Sequence, residues 1–135
     1  MSFSGEGEKN EVEEARKALG RWRQDESDKI ESLFNRIFKL AMNYEEGTEQ
    51  RKKLFEIRGV LTEVFDTVRL GDKESEIDQA ARVLGLCLDL IEDALNILSG
   101  ENKTILTNIS EEIKVIEKEL NDTKKQFSIG VPLTY

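Results

Sequence analysis

Histidine is absent from this 135-residue chain, and cysteine and proline each occur only once. Without histidine, the chain lacks the commonest general base and the commonest zinc ligand, and it cannot form a Ser-His-Asp or Cys-His pair. With Cys87 alone, no intramolecular disulfide can form, and its apolar helical context predicts a small buried side chain. We therefore expect a non-enzymatic protein with no metal and no cofactor.

Long apolar runs are also missing. No stretch approaches the roughly 20 apolar residues that cross a membrane, and the first residues lack the basic and apolar parts of a signal peptide. We therefore expect a protein of the cytoplasm, or one that works inside a host cell. The net charge is −8, and residues 72–100 carry seven acidic and two basic side chains. This balance disfavours nucleic acid and membrane as partners, because both attract basic surfaces.

What is present favours helices. Charged residues make up 36% and apolar residues 38% of the chain, and its length suits one domain. Apolar residues recur at helical spacing through residues 28–44, 49–70, 75–98 and 103–126. The stretch 75–98 is apolar around most of its circumference, so neighbouring helices must cover it. The sequence predicts an all-α fold with this stretch at its centre.

The predicted connections at 45–48, 71–74 and 99–103 are short, and they indicate how the helices are arranged. Gly47 is a helix-ending signal, Thr48 is a good N-cap, and Ser75 with Asp78 resembles a capping box. Because short loops place consecutive helices side by side, we expect an antiparallel up-down-up-down four-helix bundle. This bundle domain is predicted to span residues 9–127.

The two ends of the chain are predicted to differ from the bundle. Residues 1–8 are small and polar, which is typical of a flexible N-terminus. Residues 9–22 form an extra N-terminal helix or an extension of the next helix. Gly20 and the polar cluster at 25–28 favour a break or bend between the two, and one unbroken helix is the competing interpretation.

Residues 128–135 are predicted to form an extended apolar tail. Apolar residues alternate strictly with polar ones, glycine or proline, as in a segment with one apolar side. The apolar positions are Ile129, Val131, Leu133 and Tyr135. Such an arm either lies along its own bundle or crosses to another subunit or a partner.

The apolar surface is larger than one four-helix bundle needs, and this favours binding. A second subunit or a partner protein would cover the excess, so we expect a homodimer or an obligate complex with an adaptor, regulatory or assembly role. The large side chains nominated for the interface are Trp22, Phe34, Phe38 and Phe55, together with the four apolar tail residues.

One side of the central helix carries acidic residues at spacings that place them together, namely Asp78, Asp89, Glu92 and Asp93. This strip is either the solvated edge of a buried helix or a recognition strip for a basic partner. An alternative function follows from the second interpretation. The chain would then mimic nucleic acid and inhibit a basic nucleic-acid-binding protein.

A second alternative is a magnesium-dependent nucleotide hydrolase. Two acidic pairs, Glu46 with Glu49 and Glu63 with Asp66, have a spacing that resembles the acidic signature of the all-α nucleotide pyrophosphohydrolases. The resemblance covers four residues. That signature needs its first pair within one helix, whereas Glu46 and Glu49 lie on either side of the Gly47 turn. In an antiparallel hairpin, the second pair also lies away from Asp89.

Overall fold

The computed structural model of the chain describes residues 3–71 and 74–128, and all of its regular structure in these ranges is helical. The helices are α1 (Phe3–Ala41), α2 (Glu49–Leu70), α3 (Glu74–Leu95) and α4 (Gly100–Ser128). Each helix packs against the next along the chain, and α1 also contacts α4. The predicted all-α class and helical bundle are therefore confirmed.

Helix α1 is a single unbroken helix of 39 residues. It begins at Phe3, ahead of the Lys9 start that the sequence pattern indicates, and continues through Gly20 and the polar cluster at 25–28. The predicted break between residues 20 and 26 is therefore wrong. Glu26 and Ser27 are buried, so this part of α1 is held by packing, which outweighs the local preference of Ser27 for a cap.

The start of α2 follows the predicted signals closely. Thr48 is the N-cap, and its side-chain oxygen accepts a hydrogen bond from the Arg51 backbone N–H. Gly47, just before it, has a φ of 88°, in the left-handed region that favours glycine. The local chemistry of this turn was thus predictable.

The predicted capping box at the start of α3 is wrong. The helix already includes Glu74, so Ser75 lies inside it and is no cap. Asp78 instead accepts hydrogen bonds from Arg82 on the same helix and from Lys124 on α4. The Lys124 hydrogen bond is the main cause that lowers the pKa of Asp78. Asp78 therefore helps to join α3 to α4.

One apolar core runs between the four helices. Its largest fully buried side chains come from every helix, and they include Ile37, Leu61, Leu84, Ile91 and Ile113. Cys87 is also fully buried, as predicted, and burial raises the pKa of its thiol to about 12. Among the described residues, no helix is long and apolar enough to cross a membrane.

Polar contacts link α1 to α4 at successive levels. Lys29 Nζ lies 2.9 Å from Glu119 Oε2, and Arg36 Nη1 lies 2.5 Å from Glu112 Oε2. Asn43, just after α1, donates a hydrogen bond of 3.1 Å to the Asn102 side chain. As the residue number rises along α1, the number of its partner on α4 falls.

Candidate protein-interaction surface

Four phenylalanines meet along the outer edge of the α1–α2 contact. The Phe34 and Phe65 rings are perpendicular, with centroids 5.6 Å apart. The Phe38 and Phe55 rings also meet edge to face, with centroids 6.0 Å apart. Phe38 and nearby Met42 remain 39% and 42% exposed, although both are large and apolar. Three of the predicted interface residues, Phe34, Phe38 and Phe55, thus lie along one edge.

Arginines from α2 lie over these rings. The Arg58 guanidinium carbon is 5.0 Å from the centre of the Phe38 ring. Arg51 and Arg69 lie over Phe55 and Phe65 at 5.6 Å and 5.7 Å. These distances are within the range of cation–π attraction, which holds the arginine planes in place.

Arg51 is further fixed by its own contacts. It donates one hydrogen bond to the backbone oxygen of Tyr44, at 3.4 Å, and another to the sulfur of Met42, at 3.7 Å. We call the combined feature the aromatic–arginine surface. It consists of Phe34, Phe38 and Met42 from α1, and Arg51, Phe55, Arg58, Phe65 and Arg69 from α2.

The positive charge of this surface is not balanced locally. Within the described ranges, none of its three arginines forms an ion pair with a carboxylate. The chain as a whole carries a net charge of −8, so a surface with three unpaired arginines stands out against its surroundings. Phenylalanine, methionine and arginine are also enriched at protein interfaces.

The arginines and Phe65 were missed as interface candidates from the sequence. A signal existed, because Arg51, Phe55, Arg58, Phe65 and Arg69 follow spacings of four, three, seven and four residues, which place them on one helix face. Their stacking could not be predicted, since it depends on which α1 residues lie level with them.

Trp22, another predicted interface residue, is not part of the aromatic–arginine surface. Trp22 is half-buried and packs against the core from α1. Residues 129–135 lie outside the described residues, so the predictions for Ile129, Val131, Leu133 and Tyr135 stay predictions.

The predicted acidic strip divides into two parts. Asp78 is paired with Arg82 and Lys124, as described above. Asp89, Glu92 and Asp93 are exposed, and none of them forms an ion pair among the residues that the structure describes. These three carboxylates leave the later half of α3 strongly negative.

A groove with a volume of about 500 Å³ lies between α1 and α4. Its apolar floor includes Leu33, Ile116 and Val115, which is 56% exposed. Lys29 and Glu119 line it and already pair with each other across it. This ion pair therefore stabilises the bundle, whereas the three arginines of the aromatic–arginine surface on α2 have no ion-pair partner among the described residues.

The carboxylates considered for magnesium do not form a cluster. Glu46 lies before the Thr48 cap, whereas Glu49 is the first residue of α2, so a turn separates the first pair. Over residues 3–71 and 74–128, no three histidine, cysteine, aspartate or glutamate side chains are placed to hold a metal ion. Glu63 and Asp66 are thus not part of such a group.

Comparisons with known proteins found no relative of this chain. No protein-family model matches the chain, and neither the curated proteins nor the solved structures contain a match to it.

Proposed function

We propose that this chain is a non-enzymatic protein-interaction bundle with an adaptor, regulatory or assembly role. It acts as a homodimer or within a complex, in the cytoplasm or inside a host cell, and its partners are proteins rather than nucleic acid or membrane. The aromatic–arginine surface is the site that contacts a partner. The carrying observation is that three arginines are held on phenylalanine rings and that none of them pairs with a carboxylate within residues 3–71 and 74–128.

The energetics of this surface favour binding. Arg58 and Arg51 are held on aromatic rings, so less side-chain entropy is lost when they bind than for free arginines. Phe38 and Met42 expose apolar area beside them, and its burial stabilises a complex. Central aromatic and arginine side chains typically carry most of the binding energy at interfaces.

The chemistry of the surface also restricts the partner. Three guanidinium groups that have no carboxylate partner in the described part of the chain, set beside apolar rings, complement a segment that presents carboxylates together with apolar side chains. We expect such a segment to be helical or extended along the α1–α2 edge. Binding should weaken with rising salt concentration, because exposed charges contribute to it.

The proposed frame for this surface is an up-down-up-down bundle. Its support is the order of the α1–α4 contacts, in which Lys29 meets Glu119, whereas the later Arg36 meets the earlier Glu112. The short connections between α2 and α3 and between α3 and α4 fit the same topology. In such a frame α1 and α2 are rigid neighbours, which keeps the rings and guanidinium groups in register.

Affinity capture from the native host tests the proposal. The bait is the full chain, either wild type or with Phe38→Ser and Arg58→Glu together. We expect wild type to retain at least one protein that the double variant loses, because the variant removes an apolar anchor and reverses a charge. The retained protein should elute at raised salt.

The matched control is Val115→Ser, which changes a similarly exposed apolar residue on α4. The control should retain the same protein as wild type. If the double variant captures the same proteins as wild type, the aromatic–arginine surface is not the binding site. Circular dichroism on each bait checks that the helices are intact.

A second candidate function is inhibition by nucleic-acid mimicry. It is favoured by the exposed carboxylates of Asp89, Glu92 and Asp93, which have no ion-pair partner among the described residues. In that case a basic nucleic-acid-binding protein would be captured. Its capture would be lost on replacing the three carboxylates with amides, while the Phe38 and Arg58 changes would leave it intact.

A further inference from the structure

One exposed row of side chains runs along α3. Successive members are three or four residues apart, which keeps them on one face, and every member is exposed. Leu86 lies at its middle and is 61% exposed. We call this row the α3 stripe, and it consists of Ser75, Gln79, Arg82, Leu86, Asp89 and Asp93, together with Asn96 in the turn just after α3.

Charge is distributed unevenly about Leu86. Arg82 lies one turn before it, with its side chain 76% exposed. Arg82 pairs with Asp78, but Asp78 is also paired with Lys124, so this group of three keeps a net positive charge. Asp89 and Asp93 lie after Leu86 and have no ion pair within the described part of the chain. The stripe is thus positive on one side of the leucine and negative on the other.

Such a stripe is complementary to a second copy of itself turned end to end. A two-fold axis through Leu86 would place the two leucines together and would put Arg82 of each copy beside Asp89 of the other. Further out, the same register pairs Gln79 with Asp93. At the outer ends, it pairs Ser75 with Asn96. The Gln79–Asp93 pair and the Ser75–Asn96 pair can each form hydrogen bonds. A closed dimer requires this kind of self-complementary surface.

We propose that the chain forms a homodimer by antiparallel pairing of two α3 stripes around Leu86. This inference rests on the proposed function, because it names a second copy of the chain as one partner. Val83 and Leu90 are half-buried and flank Leu86 at helical spacing, so they widen the apolar centre. The stripe shares no residue with the aromatic–arginine surface.

The expected dimer is weak and reversible. A contact made mainly by one helix from each subunit is smaller than the roughly 800 Å² per partner of a standard stable interface. Two leucines and two symmetry-related ion pairs supply its centre. We therefore expect the measured mass to rise with protein concentration and to fall with added salt.

Sedimentation equilibrium of two charge-reversal variants tests the pairing. In Arg82→Asp, an aspartate would meet Asp89 of the partner, whereas in Asp89→Arg, an arginine would meet Arg82. Each variant alone should dimerise with a dissociation constant raised about tenfold or more, since two attractive contacts become repulsive. An equimolar mixture of the two should recover dimerisation, because opposite charges then meet at both ends.

Recovery on mixing is a result that simple destabilisation of the fold could not produce. Val115→Asp, which places a charge on α4, should dimerise like wild type. Circular dichroism should show equal helix content in all variants. Two variants that weaken dimerisation without recovery on mixing would overturn the antiparallel pairing. A wild-type dimer that neither variant affects would overturn the α3 interface.

A wild-type chain that stays monomeric at several hundred micromolar would also overturn the inference. That result would not decide whether the aromatic–arginine surface binds a partner, because the capture experiment with Phe38 and Arg58 tests the proposed function separately.

Discussion

Glu26 is a carboxyl side chain that is buried inside the bundle. It is 1% exposed, and its Oε1 lies 3.2 Å from Lys29 Nζ. Burial is the main cause that raises the pKa of Glu26 to about 7, and a hydrogen bond with Glu119 adds to it. The pKa of Glu119 is lowered, chiefly by the same hydrogen bond. Below about pH 7, Glu26 is therefore the protonated partner of this pair.

Stability should consequently fall as the pH rises through neutrality. An unfolded Glu26 titrates near 4.5, so between pH 4.5 and about 7 the folded chain binds the extra proton. The stabilisation from that proton is complete below pH 4.5 and is lost above pH 7. Glutamine at position 26 needs no proton, so the Glu26→Gln variant should not lose this stabilisation. We therefore expect the free energy of unfolding of the variant, compared with that of wild type, to be higher at pH 8 than at pH 5 by an amount on the order of 2 kcal/mol.

Urea unfolding at several pH values measures this difference. The control is Glu31→Gln, which changes an exposed glutamate on the same helix and should follow the wild-type curve. Wild-type and Glu26→Gln curves that run parallel from pH 5 to pH 8 would show that Glu26 is not held protonated in the fold.

Helix α2 contains Gly59 and is followed by the C-cap Gly71, and the surroundings of these two glycines are opposite. A Cβ on Gly59 would have nothing within 4 Å, whereas a Cβ on the C-cap Gly71 would collide with the backbone oxygen of Thr67 and the side chain of Glu76. Gly59→Ala should stabilise the protein by about 0.5–1 kcal/mol, because alanine loses less entropy in a helix. Gly71→Ala should destabilise it by about 1–3 kcal/mol.

Thermal unfolding of the two variants gives the test at once, since each serves as the control for the other. If both alanines changed the stability in the same direction by similar amounts, the different surroundings of Gly59 and Gly71 would not decide the effect of a Cβ. Gly71 has a φ of −70°, which alanine adopts readily, so the expected cost comes from the collision and not from backbone strain.

Helix boundaries were predictable where local chemistry decides them. Thr48 and Gly47 act within their own turn, and the sequence predicts their roles correctly. The continuity of α1 was not predictable in the same way. Ser27 is a cap-forming type, and only burial against the rest of the bundle keeps it and Glu26 inside a helix.

At the scale of the whole molecule, the aromatic–arginine surface depends on the register between helices. The sequence nominated Phe34, Phe38 and Phe55, and each helix pattern places its own phenylalanines on one side. The Arg58–Phe38 contact joins residues 20 positions apart in sequence and depends on how α1 lies against α2. That register follows from packing of the whole core, so neither the stacking of the arginines on the rings nor their lack of carboxylate partners among the described residues could be predicted.

The two proposed surfaces would bind different partners. In this proposal, the aromatic–arginine surface on α1 and α2 would contact an acidic partner, while the stripe on α3 would contact a second copy of the chain. A dimer would then present two copies of the aromatic–arginine surface. Bivalent binding of this kind raises the overall affinity for a partner that carries repeated sites.

Site-specific photocrosslinking in the native host tests whether the aromatic–arginine surface contacts a protein partner. A photoreactive phenylalanine analogue is placed at Phe38 in one chain and at Val115 in another, since both positions expose apolar surface on different sides of the bundle. We predict a discrete protein adduct from position 38 that is absent from position 115 and is lost on Arg58→Glu. Equal adducts from both positions, or none from position 38, would show that the aromatic–arginine surface is not the binding site.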